Sequence, residues 1–185
     1  MKNVELIGVL GERYLVAQVN KGLLIVDQHA AHERIIFEKL KESSEVSSQN
    51  LLEPVNILLN ETSLHVAEES KALLNEVGFY FQIQSDRIIL KSVPYILDNT
   101  NVETAFRDIL DELRLEAFKN KKELRKAVMA EIACKSSFRT GDMMSLEQAE
   151  ALIFELQKRR LLVCPHGRPL TMLLKFSDLD NYFSR

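Results

Sequence analysis

The sequence has no apolar run longer than a few residues, only two cysteines, and no strong excess of either charge sign. Each shortage excludes something. A membrane-spanning helix needs roughly twenty consecutive apolar residues, and none occurs. The opening MKNVELIGVL carries Glu5 inside the would-be apolar stretch and lacks a small-residue cleavage site, so no secretory signal is expected. A cytoplasmic protein without membrane association follows as the expectation. The formal net charge of −3 argues against a stand-alone, high-affinity nucleic-acid binder, though local basic patches remain compatible with it. With Cys134 and Cys164 alone, a disulfide framework is unsupported; in a reducing compartment such thiols bind metal or are simply buried. There are no internal repeats and no low-complexity tracts.

What is present suits a soluble globular protein: 46% apolar and 28% charged residues in 185. That length accommodates one ordinary domain or two small lobes. VELIGVL, RYLVAQV and GLLIVDQ, separated by Gly-Glu and Lys-Gly, predict three antiparallel strands. The third runs into a helix over about 29–41, followed by a Ser-rich loop. LLEPVNILL predicts a strand that Pro54 confines to an edge. Residues 61–77 carry apolar side chains at helical spacing, with Gly78 as terminator. FYFQIQ and RIILKSV predict a hairpin turning at Ser85-Asp86, and 101–118 and 121–136 predict two helices. SLEQ at 145–148 is a capping box opening a further helix, before a strand near 170–175 and a short terminal helix. Strands followed by mixed elements and then helices predict an α+β fold rather than regular βαβ alternation.

Three stretches could carry chemistry. In DQHAAHERIIFEKL, His29 and Glu33 are four apart, on one helix face and within reach of a common ion, with Asp27 at the preceding strand end. A polar strand-to-helix corner explains the same residues. In CPHG, Cys164 and His166 flank Pro165, which holds them in a fixed turn; thiolate with imidazole favours zinc or a similar ion over magnesium. A buried structural cysteine beside a turn is the alternative. In IACKSSFR, Cys134 is followed by Lys135 and Arg139, cations of the kind metal-assisted phosphate cleavage needs. HAAHE is not a zinc-peptidase signature, because its second histidine precedes the glutamate.

Taken in order, DQHAAHERIIFE, ACKSSFR and CPHGRP resemble the three motifs of the endonuclease-type C-terminal domain of the MutL DNA mismatch-repair family. The resemblance covers essentially the whole chain. It implies a nicking endonuclease that hydrolyses one strand of duplex DNA. His29, Glu33, Cys164 and His166 would be metal ligands with Cys134 beside them, Glu33 bridging two ions, and Asp27 in the catalytic centre. Lys135, Arg139 and Arg168 would contact phosphate. Glu38 completes the first motif but lies about 140° round the helix from Glu33, which suits a supporting role, with Arg34 at i−4 as a partner. His32 falls on an open position and is not assigned as a ligand. The family also implies manganese (or magnesium) as the catalytic ion, with zinc in a structural or regulatory place.

Gln49, Leu52 and Pro54 fit the Gln-x-x-Leu-x-Pro form that docks bacterial proteins on the replication sliding clamp, at the position where bacterial MutL proteins carry it. KNKKELRK at 119–126, with five basic residues and one acidic, could extend a DNA path or be a solvated face. The glycine-rich nucleotide motifs of the MutL ATPase region do not occur, so this is expected to be the C-terminal part alone. Its implied partners are DNA, the clamp, a second copy, the N-terminal ATPase region and the mismatch-recognition protein. Two lobes are expected: a sheet-plus-helix dimerisation lobe of 1–56 and 133–185 carrying the site, and an inserted external α/β lobe of 57–132. Two rival functions are a structural-zinc dimerisation module without cleavage and a metal-responsive DNA-binding regulator.

Overall fold

The computed structural model describes residues 4–43, 46–97, 101–115, 120–137, 144–165 and 167–185. Among these the chain forms seven strands and seven α-helices, mixed α and β without regular alternation. It divides into two compact units, 1–36 with 137–185 and 37–136, one boundary falling inside the first helix.

The first unit is built on β1 (Val4–Leu10), β2 (Tyr14–Val19), β3 (Gly22–Asp27) and β7 (Thr171–Lys175), in the order β1-β2-β3-β7 and antiparallel throughout. Alternation decides which face is buried. Leu15, Ala17 and Val19 of β2 and Leu24 and Val26 of β3 pack with Ala31 and Ile35 of α1 (Gln28–Glu42) and with α6 (Leu146–Arg159). From α6, Ala149, Leu152, Ile153 and Leu156 face the sheet at helical spacing. Its start is the expected capping box: Ser145 Oγ accepts from Gln148 N–H, and the Gln148 side chain accepts from Ser145 N–H. Gly22 closes the β2–β3 turn at φ +154°, where an added Cβ would lie 2.0 Å from the Leu174 carbonyl oxygen. That close approach lets β7 pair along β3, from Gly22↔Lys175 to Val26↔Thr171. The short helix α7 (Phe176–Tyr182) follows directly.

The second unit holds a three-stranded sheet ordered β4-β6-β5, from β4 (Ser48–Leu58), β5 (Tyr80–Ile83) and β6 (Arg87–Pro94). β4 is an edge strand, as Pro54 predicts. The 61–77 segment is two helices, not one: α2 (Glu61–Glu69) and α3 (Lys71–Glu76) meet at Ser70, whose backbone departs from helical values. The apolar period survives that break, which is why periodicity alone reads through it. α4 (Val102–Leu115) buries Ala105, Phe106, Ile109, Leu110 and Leu113, and Phe106 meets Phe79 and Phe81 edge-on with centroids 5.3 Å apart. α5 (Lys121–Ser136) packs beside it and ends where the chain returns to the first unit. No helix among the described residues is long and apolar enough to cross a membrane.

Candidate metal centre

The site begins at the junction of β3 and α1. Strand alternation leaves Asp27, the last residue of β3, half-buried; the helix then starts at Gln28 with four backbone N–H groups lacking intrahelical partners. Asp27 Oδ1 accepts from the Ala30 N–H at 2.9 Å, the bond of an N-cap. The corner is fixed on both sides, since Asp27 N–H donates to the Leu170 carbonyl and Gln28 N–H to the Arg13 carbonyl, each at 3.0 Å. Sequence reasoning did not assign this cap, although an aspartate immediately before an apolar-periodic segment is a helix-start signal.

One turn on, His29 Nε2 and Glu33 Oε2 stand 3.8 Å apart. That is too long for a direct hydrogen bond. Two donors each about 2.0–2.2 Å from a shared ion lie roughly 3.0–3.6 Å apart, so the pair fits a small divalent cation with little adjustment. The two differ in access: the His29 side chain is 46% exposed and the Glu33 side chain 7%. A buried carboxylate next to an accessible imidazole is a donor set open to solvent on one side. On the other edge of the ring, His29 Nδ1 lies 3.1 Å from Ser137 Oγ.

Cys164 lies in the same unit, buried, in the loop between α6 and β7. A tight turn shapes that loop: Gly167 N–H donates to the Cys164 carbonyl at 3.0 Å, and Cys164 N–H to the Arg168 carbonyl at 2.8 Å. Cys164 Sγ accepts from Arg168 N–H at 3.3 Å. Among the described residues, Cys164 does not close with His29 and Glu33 into a three-ligand group. Arg168 is exposed beside it.

Residues 7–144 match the family model described as the MutL C terminal dimerisation domain. The DNA mismatch repair protein MutL of Kosmotoga olearia is 43% identical over 180 residues, 97% of this chain and 30% of that protein. The protein of the same name from Pseudothermotoga lettingae is 36% identical over 185 residues, 100% of this chain and 34% of its own length. That of Clostridium botulinum type A is 36% identical over 188 residues, 99% and 28% respectively. The chain belongs to the MutL C-terminal dimerisation domain family. It spans about a third of the length of these curated relatives.

Of the residues that the MutL motifs single out, Asp27, His29, Glu33, Cys164 and Arg168 all fall in the first unit. Arg139 and His166 lie outside the described residues. Cys134 and Lys135 belong to the second unit, on the last turn of α5, both half-buried. Lys135 is not a free cation there: its Nζ donates to Asp108 at 2.5 Å and pairs with Glu131 at 3.3 Å. Burial opposes its charge, but the bonds from Asp108 and Glu131 outweigh that and raise its pKa. Glu38 is buried in the second unit and accepts from Lys41, one turn forward, at 3.0 Å. The clamp-type residues lie on β4. Between the pairs Asn50↔Ser92 and Val55↔Leu90 the register breaks, leaving Leu51 to Pro54 opposite Lys91 alone. Leu52 stands fully out from the strand at 104% relative exposure. Ser137 is the residue that sequence reasoning left without a role; its place as the serine of the second motif was the only signal.

Proposed function

We propose that this chain is the metal-dependent nicking-endonuclease and homodimerisation module of a mismatch-repair protein, hydrolysing a phosphodiester in one strand of duplex DNA. The observation that carries the reading is the side-by-side placement of His29 and Glu33, one turn beyond Asp27, on a corner fixed by backbone bonds. The donor set suits a divalent ion, manganese for cleavage, with zinc favoured where thiolates join. Such an ion, when bound, lowers the pKa of water and polarises a phosphoryl oxygen.

The chain's own residues then have distinct tasks. His29 and the buried Glu33 would hold the ion, and Glu33 would also serve a second one. Cys164 and His166, with Cys134, would complete the ligand set that the MutL motifs imply. Asp27 spends one oxygen on the helix cap, leaving the other to orient the attacking water. Arg168, exposed beside Cys164, is the best-supported phosphate contact; Arg139 has only the motif behind it. Lys135, bound by two carboxylates, must exchange partners to reach a phosphate. Glu38 acts as a support within α1.

Homodimerisation is supported by the family's description and by the two edges, β1 and β7, of the four-stranded sheet. The sliding clamp is a further partner, supported by Leu52 at the register break. The ATPase region and the mismatch-recognition protein complete the set implied by MutL. The test is nicking of supercoiled plasmid in manganese, with and without clamp. Wild type should convert plasmid to open circles, chelator should stop it, and Glu33→Gln should lose it. Equal nicking by Glu33→Gln would overturn the reading. A bound zinc with four protein ligands and no open position would favour the structural-zinc module instead.

A further inference from the structure

The imidazole of His29 is addressed from both edges. Its Nε2 points toward Glu33 Oε2 at 3.8 Å, while Nδ1 meets Ser137 Oγ at 3.1 Å. A neutral imidazole carries one N–H and one lone pair, and only the lone-pair nitrogen can hold a cation. Which nitrogen that is depends on the bond the other one makes.

We propose that Ser137 is the positioning residue for His29: its hydroxyl oxygen accepts from Nδ1–H and so leaves the Nε2 lone pair facing Glu33. This rests on the metal reading above. Two observations fix the hydroxyl in place, and the metal reading sets the direction. Ser137 is 5% exposed, so packing rather than solvent sets where its oxygen sits. Its neighbour Ser136 has its own hydroxyl bonded to the Ile132 carbonyl at 2.7 Å, so the two adjacent serines have separate work. The opposite direction, with Ser137 donating to Nδ1, would put the proton on Nε2. An Nε2 that carries the proton has no lone pair for an ion beside Glu33, so ion binding there needs the proton on Nδ1 and Ser137 as its acceptor.

The test is a long-range proton–nitrogen correlation spectrum of His29 in the Zn2+-loaded full chain. It is paired with Zn2+ and Mn2+ titrations of the same protein. Wild type should show a protonated Nδ1 and an unprotonated Nε2. Ser137→Ala should weaken ion binding by about 10- to 100-fold. Ser137→Thr, which restores the hydroxyl, should recover the affinity, whereas a packing role alone would not be rescued by it. A wild-type Nε2–H spectrum overturns the assignment, and needs no variant to fold. Unchanged affinity in Ser137→Ala overturns it equally. Wild type that binds neither ion overturns the metal reading itself, and the inference with it; bound ion with an Nε2–H spectrum overturns Ser137 alone.

Discussion

Replacing Asp27 by asparagine and by alanine separates the two tasks assigned to its carboxylate. Oδ1 accepts from the Ala30 N–H at 2.9 Å, and the charge sits at the start of a fifteen-residue helix. Asparagine caps about as well as aspartate, so Asp27→Asn keeps the bond and loses only the favourable charge, about 0.3–1 kcal/mol. Alanine loses the bond as well, adding about 1 kcal/mol. For a chain of this size each kcal/mol moves the midpoint by roughly 2–4 °C. Thermal melts should therefore place Asp27→Asn within about 1–4 °C of wild type and Asp27→Ala about 2–4 °C lower again. Hydrogen exchange at the Ala30 amide should speed up only in the alanine variant. Nicking in manganese should fall in both variants alike, by roughly 100-fold or more if the carboxylate handles the water's proton. Wild-type nicking by Asp27→Asn would refute the catalytic role. Asparagine as destabilising as alanine would refute the cap.

The other expectations can be checked separately. Leu52→Ala should leave stability within about 0.5 kcal/mol, since the side chain touches solvent only. It should weaken clamp binding roughly 10- to 100-fold, the loss of one buried leucine anchor; an unchanged Kd by calorimetry would remove the clamp assignment. Phe106→Ala should cost about 3–5 kcal/mol, because the ring is fully buried between Phe79 and Phe81. Urea denaturation followed by exchange in α4 would read that loss, and a cost under 1 kcal/mol would contradict the packing. The Lys135 ion pairs should stabilise the second unit fully below lysine's ordinary 10.5 and fade as pH climbs through the raised value. Lys135→Met should flatten that alkaline limb, and an unaltered profile would show that the pairs contribute nothing.

How much could be read in advance differs by element. The antiparallel run of β1, β2 and β3 was legible because tight turns and alternation are local, and so was the α6 capping box, whose bonds span three residues. The break at Ser70 was hidden because α2 and α3 keep one apolar stripe across it. β7 was readable as a strand, but not its place beside β3, 149 residues upstream at the pair Leu24↔Leu173.

Sequence by itself determined the family, the helical spacing that puts His29 and Glu33 on one face, and the edge position of β4. Those follow from residue order and backbone geometry, which act over a few positions. Tertiary structure alone decided which nitrogen of His29 meets Ser137, that Lys135 is held by Asp108, and that Leu52 leaves its strand at a register break. Each of these is a contact between distant segments or a mismatch between paired strands. No local pattern encodes such contacts, because they arise only when separate elements compete for the same partners in the folded chain.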